Sequence, residues 1–128
     1  MAKNIKIRTV AIIEDDEILA NTLGDELQDA GYKVIKALNG NQGLTLVLKE
    51  HPDLILLDIV MPEMDGITML NELRMDIWGK AVPVIILTNL SEASKVAKAF
   101  VKGAFDYLVK SSWRLEDVVE KVDRKLKR

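Results

Sequence analysis

Asp53-Leu54-Ile55-Leu56-Leu57-Asp58, followed at once by Ile59-Val60-Met61-Pro62-Glu63-Met64-Asp65-Gly66, is the stretch on which the fold turns. Consecutive large apolar residues without polar alternation suit a strand covered on both faces, and the run is too short for an ordinary helix. It ends in a carboxylate and then in a proline and an Asp-Gly pair, which turn the chain. A strand covered on both sides needs parallel neighbours joined to it by helices.

Those neighbours are present. Short β-rich apolar runs recur at 9–13, 32–37, 83–88 and 105–109, in addition to 53–58. Between them lie residues at helical spacing: Leu19, Leu23 and Leu27 in the first segment, Leu70, Leu73 and Ile77 in the third, and Leu115, Val118, Val119, Val122 and Leu126 in the last. Gly31, His51-Pro52, Gly79 and Gly103 close the first four predicted helices, and Ser91 caps the start of the fourth. The pattern is a βα unit repeated five times. It predicts a doubly wound α/β domain with a parallel sheet, right-handed crossovers and helices on both faces. The length of 128 residues suits one core, so residues 1–128 are expected to form a single domain with its core at about 8–127.

Composition narrows the chemistry. The formal net charge is −2, which gives no field for non-specific nucleic-acid binding, and no direct nucleic-acid contact is expected. With no cysteine and His51 as the one histidine, disulfides, thiolate sites and multi-histidine metal sites are ruled out, so any metal must bind mainly through oxygen. No apolar run approaches the roughly 18 to 20 residues that span a bilayer, and the first residues lack a signal-peptide apolar region. The expectation is a cytoplasmic protein without a membrane partner.

In a doubly wound sheet, ligands bind beyond the carboxyl ends of the strands. There the sequence places Glu14-Asp15-Asp16 after the first strand, Asp58 at the end of the third, Thr88-Asn89 at the fourth and Lys110-Ser111-Ser112 after the fifth. Converging carboxylates repel by roughly 1 to 4 kcal/mol per pair at about 4 Å, and a divalent cation relieves this. An oxygen-only site with few carboxylates suits Mg2+, whereas calcium would want more ligands. A lysine and a threonine hydroxyl beside such a cluster could meet phosphoryl oxygens, and an aspartate is a competent phosphoryl acceptor. Read singly, each feature is ordinary: Glu14-Asp15-Asp16-Glu17 would serve as the acidic first turn of a helix, and Thr88 as a strand-end hydroxyl.

Taken together, Ile12-Ile13-Glu14-Asp15-Asp16-Glu17, Leu56 through Gly66, Ile86-Leu87-Thr88 and Gly103-Ala104-Phe105-Asp106-Tyr107-Leu108-Val109-Lys110 resemble the receiver domains of two-component response regulators, including chemotaxis regulators. The resemblance covers essentially the whole chain. It implies a flavodoxin-like (βα)5 sandwich with strand order 2-1-3-4-5. It also implies Mg2+ as cofactor and a phosphoryl group carried on Asp58 as 4-aspartylphosphate. Glu14 and Asp15 would be the acidic pair, with Asp15 a direct metal ligand and Glu14 acting through water. Asp58 and the backbone carbonyl of Val60 would complete the protein ligands, and Asp16 would start the first helix. Lys110 and Thr88 would contact the phosphoryl group. Thr88 and Tyr107 would form the switch that remodels the surface of the predicted fourth helix, fifth strand and fifth helix.

The implied partners are a sensor histidine kinase or histidine phosphotransfer protein as donor, and a downstream output protein or fused effector domain. A homodimer through the switch surface is a further partner arrangement that the resemblance allows. The chain would be a regulatory phosphoacceptor, not an enzyme acting on an outside substrate, and no organic cofactor is implied. No output domain follows the fifth predicted helix, which fits both a stand-alone regulator and a receiver cut from a longer protein.

Departures from the family pattern lie at Ser111, where proline usually follows the lysine, and at Asn89, where a smaller residue is usual. They motivate an alternative, a degenerate receiver that binds a partner without phosphorylation; intact Glu14, Asp15, Asp58, Thr88 and Lys110 weigh against it. Val60 and Leu90 hold positions that influence phosphoryl loss in the family, and neither side chain can orient water. Asp58-Ile59-Val60 lacks the second aspartate of Asp-x-Asp phosphohydrolases, and no Gly-rich nucleotide loop is present. His51 reads as a helix-end residue, and Trp78 and Trp113 as packing near loops.

Overall fold

The structure is a computed structural model and describes residues 6–61, 64–88, 103, 106–109 and 114–126. Five strands form one parallel sheet: β1 (Thr9–Ile13), β2 (Lys33–Ala37), β3 (Leu54–Asp58), β4 (Val84–Thr88) and β5 (Asp106–Val109), in the order β2-β1-β3-β4-β5. The described helices are α1 (Glu17–Asp29), α2 (Gly40–Glu50), α3 (Gly66–Arg74) and a C-terminal helix, Leu115–Leu126. The predicted fourth helix, its Ser91 cap, Asn89, Leu90, Lys110, Ser111 and Trp113 lie outside the described residues.

Successive side chains of a strand point to opposite faces, and each central strand divides its apolar residues accordingly. Ala11, Ile13, Ile55, Leu57, Val84 and Ile86 join Val47 of α2 and Met69, Leu70 and Leu73 of α3 in one core. Val10, Ile12, Leu54, Leu56, Ile85 and Leu87 join Ala20, Leu23 and Leu27 of α1 and Val118, Val122 and Leu126 of the C-terminal helix in the other. All residues of β3 are buried, as expected for a middle strand covered twice.

Short polar residues begin three helices. The side chains of Asp16, Asn39 and Asp65 accept hydrogen bonds from the N–H groups of Leu19, Gln42 and Thr68, which would otherwise lack an intrahelical partner. Gly31 follows α1 at φ 99°, and His51 ends α2 at φ 49°, both left-handed. The His51 ring stacks on Trp78 at 4.2 Å, so the helix-end histidine ties α2 to the loop before β4.

The third helix ends earlier than the Leu70, Leu73, Ile77 spacing predicts. It stops at Arg74, and Ile77 is 90 % exposed. Tighter bonds close the end: the N–H groups of Met75 and Asp76 donate to Glu72 and Leu73, and the Asp76 carboxylate accepts from Gly79 at 2.8 Å. Trp78, and not Ile77, packs against the core. β2, β3 and β4 begin one residue later than predicted. Pro83 has no N–H to give a ladder, while Asp53 bonds to Thr9 on two sides, through its own N–H and through its carboxylate.

Arg74 is a feature the sequence did not announce. Partly buried, it donates to the carbonyls of Gly79 at 2.7 Å, Val82 at 2.8 Å and Gly103 at 2.7 Å. Burial lowers its pKa from the ordinary guanidinium value by desolvation, yet a guanidinium stays charged at neutral pH. The clamp sits at the amino ends of β4 and β5, the edge away from Asp58.

Candidate functional site

Parallel pairing fixes which residues meet at the carboxyl edge. Ile13 lies opposite Leu57 and Asp58 opposite Leu87, so Glu14 leaves β1 beside the end of β3. Thr88, the last residue of β4, pairs with Val109, and Lys110 follows directly in sequence. Lys110 lies outside the described residues, as do the side chains of Thr88 and Tyr107. The Tyr107 backbone pairs with Ile86, two residues inside the edge.

Glu14 is fully buried and Asp58 is 3 % exposed, the two charged residues buried among the described ones. The Glu14 N–H donates to Ala37 at 3.1 Å, which anchors it to the end of β2, and its carboxylate accepts from Asp16 N–H at 3.1 Å. The Asp58 carboxylate accepts from Val60 N–H at 3.3 Å. Carboxylate oxygens of Glu14, Asp15 and Asp58 all lie within 4.8 Å of one another. Asp16 is not in this group, because its side chain is committed to capping α1. Of the three consecutive acids, Glu14 and Asp15 are the two whose carboxylates gather with Asp58.

The donor set fits a hard divalent cation. Three carboxylates this close, if all are ionised, repel by about 1 to 4 kcal/mol per pair, depending on the effective dielectric. The oxygens come from a rigid strand end and a short loop, and none is nitrogen or sulfur, which is the chemistry of Mg2+ more than of zinc or copper. Val60 is 45 % exposed beside this group.

Sequence reasoning missed the β2–α2 corner, where Ala37 receives the Glu14 N–H, Gly40 lies against Met64 and Gly43 lies against the Ile13 side chain. The only sequence signal was the turn-like Leu38-Asn39-Gly40, which marks a helix start without saying what it abuts.

Comparison with known proteins agrees with this geometry. The family model described as response regulator receiver domain matches residues 10–123. Among curated relatives, the DNA-binding dual master transcriptional regulator RpaA of Synechocystis is 35 % identical over 119 residues, covering 93 % of this chain and 49 % of that protein. The regulatory protein AtoC of Escherichia coli is 36 % identical over 104 residues, covering 81 % of this chain and 22 % of that one. The chain thus spans about half or less of these relatives' lengths. Among solved structures, a putative response regulator from Chloroflexus aurantiacus superposes with a TM-score of 0.88 at 32 % identity, covering 96 % of this chain and all of that one. The chemotaxis response regulator CheY4 of Vibrio cholerae gives 0.86 at 28 % identity, covering 93 % and 98 %.

Proposed function

Since the chain belongs to the response regulator receiver domain family, we propose that it is a regulatory phosphoacceptor whose Asp58 takes a phosphoryl group from the phosphohistidine of a sensor histidine kinase or histidine phosphotransfer protein. The observation that carries this reading is the buried Asp58 carboxylate at the end of β3, grouped within 4.8 Å with Glu14 and Asp15.

In the transfer, an Asp58 oxygen attacks phosphorus, an acyl phosphate bond forms, and the phosphorus–nitrogen bond of the donor breaks with the electron pair leaving on the imidazole. Asp15, Asp58 and the Val60 carbonyl would hold Mg2+, with Glu14 acting through water, and the ion would supply positive charge to the phosphoryl oxygens. Burial on rigid strand ends keeps Asp58 oriented, so little ordering remains for the moment of reaction. Lys110 and Thr88 would take the other phosphoryl oxygens. Movement of Thr88 toward the phosphoryl group, with Tyr107 turning inward, would bias the two-state surface that the family builds from its fourth helix, fifth strand and fifth helix.

The output would be a partner protein or a fused effector domain. RpaA is named as DNA-binding, but the match covers about half of it. We assign this chain no nucleic-acid contact of its own, in keeping with its net charge of −2. Among the described residues no helix is long and apolar enough to cross a membrane, and we place the protein in the cytoplasm.

The test is intact mass after incubation with acetyl phosphate and Mg2+, with and without excess chelator. A Mg2+-dependent gain of one phosphoryl group in wild type, absent in Asp58→Asn, is expected. No gain under conditions that label a control receiver would replace this reading with a binding module that works unphosphorylated. Once formed, the phosphoryl group should be long-lived, because Val60 and Leu90 cannot orient an attacking water. A Val60→Asn, Leu90→Glu double variant should lose it about tenfold faster or more; a decay rate unchanged from wild type would sink the idea.

A further inference from the structure

The β2–α2 corner touches the end of β1 and Glu14 on one side and Met64, beyond β3, on the other. Ala37, at the end of β2, accepts the Glu14 N–H. Gly43, buried in the first turn of α2, faces the Ile13 side chain so closely that a Cβ there would stand 2.6 Å from Ile13 Cγ2 and 3.0 Å from Cδ1. Ile13 directly precedes Glu14. Gly40, the first residue of α2, lies against Met64 on the far side: its Cβ would overlap the Met64 carbonyl oxygen and stand 2.9 Å from Met64 Cβ and Cγ. Met64 is in the loop that begins at Asp58 and is closed by the Gly66 N–H donating to Ile59 at 2.8 Å.

Asn39 fixes the approach, since its side chain accepts from Gln42 N–H and holds the first turn of α2 in place. The start of α2 is therefore wedged between the β1 side, bearing Glu14 and Asp15, and the loop after β3, bearing Val60 and Met64. We infer that Gly40 and Gly43 are positioning residues for the metal-holding site: the absence of side chains there sets how far Val60 and Met64, beyond β3, stand from the Glu14–Asp15 side. This rests on the reading of Glu14, Asp15 and Asp58 as the metal-holding phosphoacceptor site.

The two glycines are not equivalent. At Gly40 the obstacle includes backbone, which moves only with the whole loop, whereas at Gly43 it is an isoleucine side chain that can give by rotation. Residues that position metal ligands typically change affinity by about 10- to 100-fold when altered. Gly40→Ala should thus weaken Mg2+ binding about tenfold, and Gly43→Ala by a smaller factor of about three.

The experiment is calorimetric titration of Mg2+ into wild type, Gly40→Ala, Gly43→Ala and the double variant Gly40→Ala, Met64→Gly, with the folded fraction of each checked by circular dichroism. Met64→Gly removes the Cβ and Cγ that crowd the added methyl and frees the loop backbone, so it should recover at least half of the lost affinity in logarithmic terms. A purely structural role would lower the melting temperature without this pattern. If wild type binds Mg2+ and a folded Gly40→Ala binds it equally well, or if Met64→Gly restores nothing, the positioning role is wrong while the site reading stands. If Gly40→Ala does not fold, Gly43→Ala decides: wild-type affinity there overturns the inference, and weakened affinity in a folded protein supports it. If wild type itself binds no Mg2+, the underlying site reading fails and the inference with it.

Discussion

Replacing Asp58 with Asn is expected to make the protein more stable in chelator while abolishing phosphoryl uptake. Asn has nearly the same shape, and its side-chain oxygen can still accept from Val60 N–H, so packing at the end of β3 is kept. What disappears is one of three carboxylates within 4.8 Å, two of them buried. Each ionised pair costs about 1 to 4 kcal/mol at this distance, and the part involving exposed Asp15 is screened by solvent and salt. A net gain of about 1 to 2 kcal/mol is a fair expectation, or roughly 3 to 8 °C in the melting midpoint for a chain of this size. With saturating Mg2+ the order should reverse, because wild type is stabilised by binding in proportion to the logarithm of ligand over Kd and the variant binds the ion more weakly. Thermal unfolding of both proteins, in chelator and in Mg2+, reads this directly. A variant that melts below wild type in chelator would show that favourable contacts of the Asp58 carboxylate outweigh the repulsion among the three carboxylates.

The same cluster shows what the sequence could carry. The continuous apolar run Leu54–Leu57 ending in Asp58 was enough to predict a middle strand covered on both faces, and the structure buries all of β3. The placement of Glu14 and Asp15 followed from the rule that a parallel sheet gathers its ligand residues at the carboxyl edge. Asp16 was separable because a short acidic side chain just before a helix has a competing use as a cap. The end of α3 was not legible. Leu70, Leu73 and Ile77 keep helical spacing, but spacing says nothing of the Asp76 carboxylate that captures Gly79 and turns the chain. Gly40 and Arg74 were illegible for a deeper reason. Gly40 abuts the carbonyl and side chain of Met64, and Arg74 meets the carbonyls of Gly79, Val82 and Gly103; a carbonyl leaves no mark in the identity of the residue that carries it.

Arg74 provides the opposite experiment to Asp58, a large loss of stability without loss of the site. Its guanidinium joins three carbonyls from three segments: Gly79 in the turn after α3, Val82 before β4, and Gly103 before β5. Arg74→Ala removes charge-assisted bonds, each typically worth about 1.5 to 3 kcal/mol, though water can reach part of this region and the terms do not add. A loss of about 2 to 4 kcal/mol is expected, roughly 6 to 16 °C in melting midpoint. Arg74→Lys should recover less than half of it, because an ammonium cannot reproduce the planar fork that reaches carbonyls on different segments at once. Crowding at Gly103 adds a check: its φ is 84° and a Cβ there would stand 3.3 Å from Arg74 Nε, so Gly103→Ala should destabilise in the same direction. Because the clamp lies at the amino ends of the strands, the folded Arg74→Ala protein should bind Mg2+ within about twofold of wild type at a temperature well below its midpoint. Equal melting of Arg74→Ala and wild type would remove the clamp from the account of stability. A tenfold fall in Mg2+ affinity in the folded variant would instead mean that the two edges of the sheet are coupled, and that a helix end far from Asp58 helps to set the geometry of the site.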